Sequence, residues 1–129
     1  MAEQDLIDYI QHRADGLRPS WLEVGIGDDC AAVRLERDDR ILLTTDMLIE
    51  GVHFASGTPA GAVGRKAIAR ALSDLAAMAA EPLCTLAAAS FPPAAGEDTC
   101  LSLCRALWEW ATEFEAPLVG GDISSSQGG

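Results

Sequence analysis

The feature that most constrains the fold is a long helical pattern at residues 62 to 80, AVGRKAIARALSDLAAMAA. Four of its apolar residues recur every three or four positions, as they do along one side of an amphipathic helix. They are Ile68, Leu72, Leu75 and Ala79. A helix of this kind is stable mainly when that side is buried, so the remaining segments must supply the surface that covers it.

The other periodic segments alternate between helix and strand patterns. Residues 3 to 14 and 97 to 115 predict amphipathic helices, and residues 31 to 36, 41 to 45, 83 to 91 and 117 to 122 predict strands. The first two strands flank the turn sequence RDDR, which predicts a hairpin. The order predicts an α+β fold, with a mixed four-stranded sheet and two long helices packed on one face. The second sheet face has no cover within this sequence, so we expect a partner subunit or further sequence to bury it.

Length, charge and apolar content exclude several classes of protein. The 129 residues suffice for one domain, and a net charge of −11 with scattered basic residues argues against nucleic-acid binding. We find no apolar run long enough for a membrane span and no signal-peptide pattern, so we expect a cytoplasmic protein. Cys100 and Cys104 share the apolar side of the helix predicted at 97 to 115, and we interpret them as buried thiols rather than metal ligands.

The first polar motif is GIGDDCAAV at residues 25 to 33, which includes Asp29. Glycines followed by paired aspartates can form an anion-binding or metal-binding turn. Glycine and aspartate are also the residues of ordinary surface turns, and this motif alone does not decide between the two interpretations.

The second polar motif is LLTTDMLIEGVHF at residues 42 to 54, where a predicted strand ends in oxygen-bearing side chains. Thr44, Thr45 and Asp46 would offer hydroxyl and carboxylate oxygens, which suit Mg²⁺. A polar cap on the following turn is the alternative. His53 can bind a substrate, or it can be a structural residue beside its phenylalanine neighbour.

Two further aspartates, Asp74 and Asp122, are candidate site residues. Asp74 lies at the edge of the apolar arc of the helix predicted at 62 to 80, where burial is costly without a cation or several donors. Asp122 ends the sequence VGGD, whose glycines would let backbone amides approach a phosphate. A glycine-glycine-aspartate turn is common, so VGGD alone is weak evidence for a phosphate-binding site.

Four carboxylates thus stand at predicted strand ends or helix flanks: Asp29, Asp46, Asp74 and Asp122. If they converge, their mutual repulsion requires counter-charge, and divalent cations would supply it. The sequence contains no lysine-bearing phosphate-binding loop. It therefore predicts that any nucleotide is held through metal ions rather than through a lysine.

Four motifs occur in order along the chain: GIGDDCAAV, TTDMLIEGVHF, GRKAIARALSDLAAMAAEP and LVGGD. Through them, residues 20 to 124 resemble the N-terminal domain of the thiamine-monophosphate kinase family, in the aminoimidazole ribonucleotide synthetase superfamily. The resemblance implies that residues 1 to 129 are a single metal- and nucleotide-binding domain, and that the family's C-terminal domain is absent. It implies ATP-dependent phosphorylation of thiamine monophosphate to thiamine diphosphate, by direct in-line transfer assisted by several Mg²⁺ ions. It also implies a homodimer whose sheets form a barrel at the interface.

The resemblance implies a role for individual residues as well. It implies metal ligands at Asp29, Thr44, Thr45, Asp46, Asp74 and Asp122. It implies nucleotide contacts at Gly121 and Asp122, and a substrate contact at His53. It implies no catalytic residue beyond the metal ligands, because phosphoryl transfer depends mainly on positioning and charge neutralisation.

The sequence departs from the family pattern in three places. Ala79 replaces a glycine, which we expect the interior of a helix to tolerate, and Ile123 replaces a threonine after Gly-Gly-Asp. The sequence also ends at Gly129, so we expect an N-terminal fragment with little turnover of its own. The alternative functions are another ATP-using member of the superfamily, such as selenophosphate synthetase, a hydrogenase maturation protein or a purine-synthesis enzyme, and a non-catalytic dimerisation module.

Overall fold

The computed structural model describes residues 3–14, 16, 18–27, 32–36 and 40–125. In these ranges the chain forms α1 (Glu3–Ala14), β1 (Leu22–Val24), β2 (Ala32–Val33), α2 (Ala60–Ala77), β3 (Thr85–Phe91), α3 (Glu97–Glu113) and β4 (Leu118–Ser125). The three predicted helices are confirmed, and α2 and α3 each end before the predicted boundary. No helix in the described part of the chain combines the length and the apolar character needed to cross a bilayer.

The core lies where α3 meets the other two helices and the strands β3 and β4. Its central residues are Leu6, Ile10, Ile68, Cys104, Leu107, Ala111 and Leu118. Leu107 and Ala111 point inward as the helical pattern predicts, and Ala111 is fully buried. Burial raises the pKa of the Cys104 thiol to about 11, so the buried-thiol interpretation holds for this cysteine.

The strands differ from the predicted single sheet. The described residues form two two-stranded sheets, in which β1 pairs with β2 antiparallel and β3 pairs with β4 parallel. The predicted strand at 41–45 is wrong, because no strand is assigned anywhere between residues 41 and 49. The predicted hairpin is therefore wrong too, and β2 pairs with the earlier strand β1 instead.

The failure of the strand at 41–45 has a physical reason in its surroundings. An apolar run forms a strand only when a neighbouring strand satisfies its backbone groups and other side chains cover it. Leu43 keeps 90% of its accessible surface, and Ile41 keeps 51%. The polar residues that follow contact α2, not a neighbouring strand.

The parallel pair of strands is covered on one face only. Residues of β3 alternate between half-buried and exposed, ending in the buried Phe91, and Leu86 keeps 68% of its accessible surface. In β4, Val119 keeps only 1%. The covered side chains of β3 therefore occupy alternate positions, and the face that carries Leu86 is open in the described residues.

Both long helices end in the same hydrogen-bonded turn. At the end of α2 the amide of Ala80 donates to the carbonyl of Leu75, and the amide of Ala79 donates to the carbonyl of Ala76, each across 3.0 Å. Ala79 adopts a left-handed conformation, with φ of 53°. It therefore lies just beyond the helix, in a position that favours glycine, and the expectation that the helix interior accommodates it is wrong. Glu115 occupies the equivalent position after α3, with φ of 56°.

Candidate functional site

Residues 44–46 run along α2, and two side-chain contacts define what we call the 44–46 seam. The hydroxyl of Thr44 donates to Asp74 Oδ2 across 3.0 Å. Nε of Arg70 donates to Asp46 Oδ2 across 3.1 Å, and Nη2 of Arg70 lies 3.0 Å from Asp46 Oδ1. Two of the predicted metal ligands, Thr44 and Asp74, are thus in direct contact, and Asp46 lies on the same seam.

The helix supplies these contacts from positions spaced four residues apart. Lys66, Arg70 and Asp74 follow one another at this spacing, which places them along one side of α2. The ammonium group of Lys66 donates to the main-chain oxygen of His53, and so fixes the far end of the segment. Sequence reasoning missed the roles of Lys66 and Arg70, although their spacing with Asp74 was a readable signal.

The carboxyl group of Asp46 is stabilised in its charged form. Hydrogen bonding from Arg70, and to a smaller extent from the amide of Met47, holds the pKa of Asp46 below its usual value. Only 25% of the Asp46 side chain is exposed, whereas the residue as a whole lies at the surface because its backbone is open. The seam therefore keeps an ionised carboxylate at a fixed position.

His53 closes the turn that follows the seam. Its Nδ1 accepts a hydrogen bond from the amide of Ile49 across 2.9 Å, and its own amide donates to the carbonyl of Ile49 across 2.8 Å. A nitrogen that accepts cannot carry the ring proton, so the proton belongs on Nε2. The structural interpretation of His53 is therefore correct for Nδ1, and Nε2 is the ring atom that a substrate could contact.

Asp74 is not buried as its place beside the apolar arc suggested. The residue is exposed, and the structure contains no buried polar or charged residue among those it describes. The expectation of a costly buried carboxylate is wrong, because Asp74 faces the open edge of α2 where Thr44 meets it. Thr45 is also exposed.

The Gly-Gly-Asp motif lies within β4 rather than in a turn after it. Gly121 pairs with Ala87 and Asp122 with Ala88. A side-chain Cβ at Gly121 would lie 1.8 Å from the carbonyl oxygen of Ala87, which is an impossible contact. Gly121 is therefore required by close strand pairing, whether or not it also contacts a nucleotide. Asp122 is exposed.

The predicted group of four carboxylates is only partly described. Asp29 lies outside the described residues. Among the residues that are described, no three acidic, histidine or cysteine side chains converge closely enough to hold a metal ion. Gly25 and Gly27, from the first motif, line a separate cavity of about 410 Å³ that also touches Arg18 and Trp108.

Comparison with known proteins identifies the family to which this chain belongs. Residues 27–129 match the family described as AIR synthase related protein, N-terminal domain, so the chain belongs to this family. The sequence is also similar to curated proteins named thiamine-monophosphate kinase. That of Synechococcus elongatus is 35% identical over 101 residues, which cover 78% of this chain and 31% of the relative. That of Escherichia coli K12 is 36% identical over 112 residues, which cover 85% of this chain and 34% of the relative. The chain thus spans about a third of the length of these curated relatives.

Solved structures with the same name are also similar. The crystal structure of thiamine-monophosphate kinase from Stenotrophomonas maltophilia K279a is 37% identical, with a TM-score of 0.80 over 98% of this chain and 39% of that one. The enzyme from Aquifex aeolicus is 26% identical, with a TM-score of 0.54 over 98% of this chain and 40% of that one. The resemblance that the four motifs predict is confirmed.

Proposed function

We propose that this chain provides the metal- and nucleotide-binding part of a thiamine-monophosphate kinase, which transfers a phosphoryl group from ATP to thiamine monophosphate. The observation that carries the proposal is the 44–46 seam, where Thr44 and Asp74 are joined across 3.0 Å beside the ionised Asp46. The similarity to enzymes of that name supports the choice of acceptor.

The donor atoms of the seam fit Mg²⁺. This ion prefers oxygen ligands and is usually held by one or two carboxylates together with substrate phosphates and waters, so a group of three protein carboxylates is not required. The guanidinium group of Arg70 already stands beside Asp46 as a positive charge. Thr44, Thr45, Asp46 and Asp74, with Asp29 and Asp122, are the proposed ligands, and the ion would neutralise phosphate charge.

The remaining roles fall on the chain's own residues. We assign the nucleotide contact to the backbone at Gly121 on the resemblance to the kinase family, while the absence of a side chain there serves the close pairing with Ala87. We assign Nε2 of His53 to thiamine monophosphate, because Nδ1 is engaged by the amide of Ile49. The exposed face of β3 around Leu86 is the proposed homodimer surface, and a monomer in sedimentation at micromolar concentration would contradict that assignment.

Two measurements test the function. The full-length gene product should release ADP with thiamine monophosphate and not with the acceptors of other superfamily members. Asp74→Asn should abolish most of this activity, whereas Glu81→Gln, which removes an exposed charge from a loop, should leave it unchanged. We expect little turnover from these 129 residues alone, since the relatives are about three times as long.

Crystals soaked with Mn²⁺ and a non-hydrolysable ATP analogue test the site directly. Anomalous peaks beside two or more of Asp29, Asp46, Asp74 and Asp122 would support it. Equal activity of Asp74→Asn and Glu81→Gln would reject the role of Asp74 as a metal ligand, and release of ADP only with another acceptor would reject the thiamine-phosphate assignment. Failure of the full-length protein to bind a metal-nucleotide complex would favour a dimerisation module.

A further inference from the structure

The guanidinium group of Arg70 engages both oxygens of the Asp46 carboxylate. We propose that Arg70 is a built-in counter-ion that competes with a divalent cation for Asp46, and so weakens metal binding at the seam. The inference rests on the proposed function, because it takes Asp46 as a metal ligand.

The argument begins with the lone pairs of the carboxylate. Its two oxygens offer about four acceptor directions. Oδ1 accepts from the amide of Met47 across 2.8 Å and faces Nη2 of Arg70 at 3.0 Å. Oδ2 accepts from Nε of Arg70 across 3.1 Å. One direction on Oδ2 remains, so a cation that uses both oxygens of Asp46 must displace Arg70.

The surroundings make this competition strong enough to measure. The side chains of Arg70 and Asp46 keep 35% and 25% of their accessible surface, so water and salt screen the pair only in part. Arginine presents a planar fork that matches the two carboxylate oxygens, whereas lysine presents a single point of charge. Arg70→Lys therefore keeps the charge and loses the paired geometry.

Lys66 provides a matched comparison on the same helix. It carries the same charge one turn earlier, but its ammonium group donates to the main-chain oxygen of His53 rather than to a carboxylate. Lys66→Ala thus removes one positive charge near the seam without freeing Asp46. The difference in metal affinity between Lys66→Ala and Arg70→Ala therefore separates direct competition for Asp46 from the general effect of removing a positive charge.

The experiment is a titration of the full chain with Mn²⁺ alone at physiological ionic strength, with free Mn²⁺ measured by electron paramagnetic resonance. We expect Arg70→Ala to bind Mn²⁺ about two- to five-fold more tightly than the unsubstituted chain, the range typical of a partly exposed ion pair. The affinity of Arg70→Lys should lie between that of Arg70→Ala and that of the unsubstituted chain. Lys66→Ala should change the affinity less than Arg70→Ala does. Saturating Mn²⁺ should also raise the Tm of Arg70→Ala more than that of the unsubstituted chain.

Two outcomes would overturn the inference in distinguishable ways. If the unsubstituted chain binds Mn²⁺ and Arg70→Ala binds no more tightly than Lys66→Ala, the competition is wrong and the proposed function stands. If neither the chain nor any variant binds Mn²⁺, Asp46 is not a metal ligand here, and both the inference and the proposed metal site fail. Circular dichroism checks the fold of each variant. If Arg70→Ala is misfolded, Arg70→Lys decides, and affinity equal to or below that of the unsubstituted chain rejects the inference.

Discussion

The hydroxyl of Thr44 donates to a carboxylate oxygen of Asp74 across 3.0 Å, although 30 residues separate the two in sequence. This contact ties a segment without helix or strand structure to the longest helix of the chain. It joins two motifs that sequence comparison alone treats as separate. The position of the predicted ligand oxygens therefore depends on the seam rather than on a strand end.

Replacing Thr44 with valine tests how far this contact holds the segment. Valine keeps the branched shape and removes the donor, so the amides of residues 44–49 should exchange hydrogen faster, with a loss of less than about 1 kcal/mol in global stability. Thr45→Val is the control, because Thr45 makes no such contact with Asp74. Unchanged exchange in Thr44→Val would show that the hydroxyl does not hold the seam.

Glycine in place of Ala79 should stabilise the protein. Ala79 is held at φ of 53°, where a side chain costs about 1–2 kcal/mol and glycine does not pay that penalty. After the greater flexibility of glycine in the unfolded chain is subtracted, Ala79→Gly should raise the free energy of unfolding by about 0.5–1 kcal/mol. Urea denaturation measures the change.

The control for Ala79→Gly lies one turn earlier. Ala76 is an exposed residue inside α2, so Ala76→Gly should lower the free energy of unfolding by about 1 kcal/mol. If the two substitutions change the free energy of unfolding in opposite directions, the end of α2 lies between residues 76 and 79. A loss of stability in both variants would mean that Ala79 is not in the left-handed conformation.

Two glycines of α2 should respond in opposite ways to alanine. A Cβ at Gly64 would lie 2.7 Å from the Cβ of Ala106 on α3, so Gly64→Ala forces the helices apart and should cost about 1–3 kcal/mol. A Cβ at Gly61 meets nothing within 4 Å, so Gly61→Ala should stabilise by up to about 1 kcal/mol. Thermal or urea unfolding measures both, and equal effects would contradict the close packing of α2 on α3.

The single tyrosine of the chain reports on the packing of α1 against α3. Nε of Arg105 donates to the hydroxyl of Tyr9 across 3.0 Å, and Arg13 also donates to it. The hydrogen bond from Arg105, followed by that from Arg13, lowers the pKa of Tyr9 below its ordinary value. Ionised Tyr9 therefore adds stability above its ordinary pKa of 10.0, and this contribution is lost as the pH falls through the lowered pKa of the folded protein.

Absorbance of the phenolate in the near ultraviolet follows Tyr9 alone. Arg105→Ala should raise the pKa of Tyr9 towards its ordinary value. Arg65→Ala, which removes a guanidinium that lies over the ring of Trp110, should leave the titration of Tyr9 unchanged. The same titration curve for Arg105→Ala and the unsubstituted chain would show that Arg105 does not hold the phenol.

The sequence by itself determined the three helices, the presence of strands near 83–91 and 117–122, and the family. The helices can be predicted from the sequence because amphipathic periodicity is local. Each pattern repeats over enough turns to be recognised without knowing which element packs against it. β4 was predicted at 117–122, and its pairing with β3 extends it to Ser125. The four motifs identified the family because their order and spacing are properties of the chain alone.

Only the tertiary structure decided how residues 41–54 are used. Leu42 and Leu43 have the composition of a strand, but strand formation needs a neighbouring strand, and the described residues leave 90% of the accessible surface of Leu43 uncovered. The same dependence on partners explains Arg70, whose charge is evident in sequence and whose contact with Asp46 is not. It also explains Ala79, since a left-handed residue is defined by where the helix stops. Periodicity is carried by neighbours in sequence, whereas ion pairs, strand pairing and helix ends are settled by groups that meet only after the chain has folded.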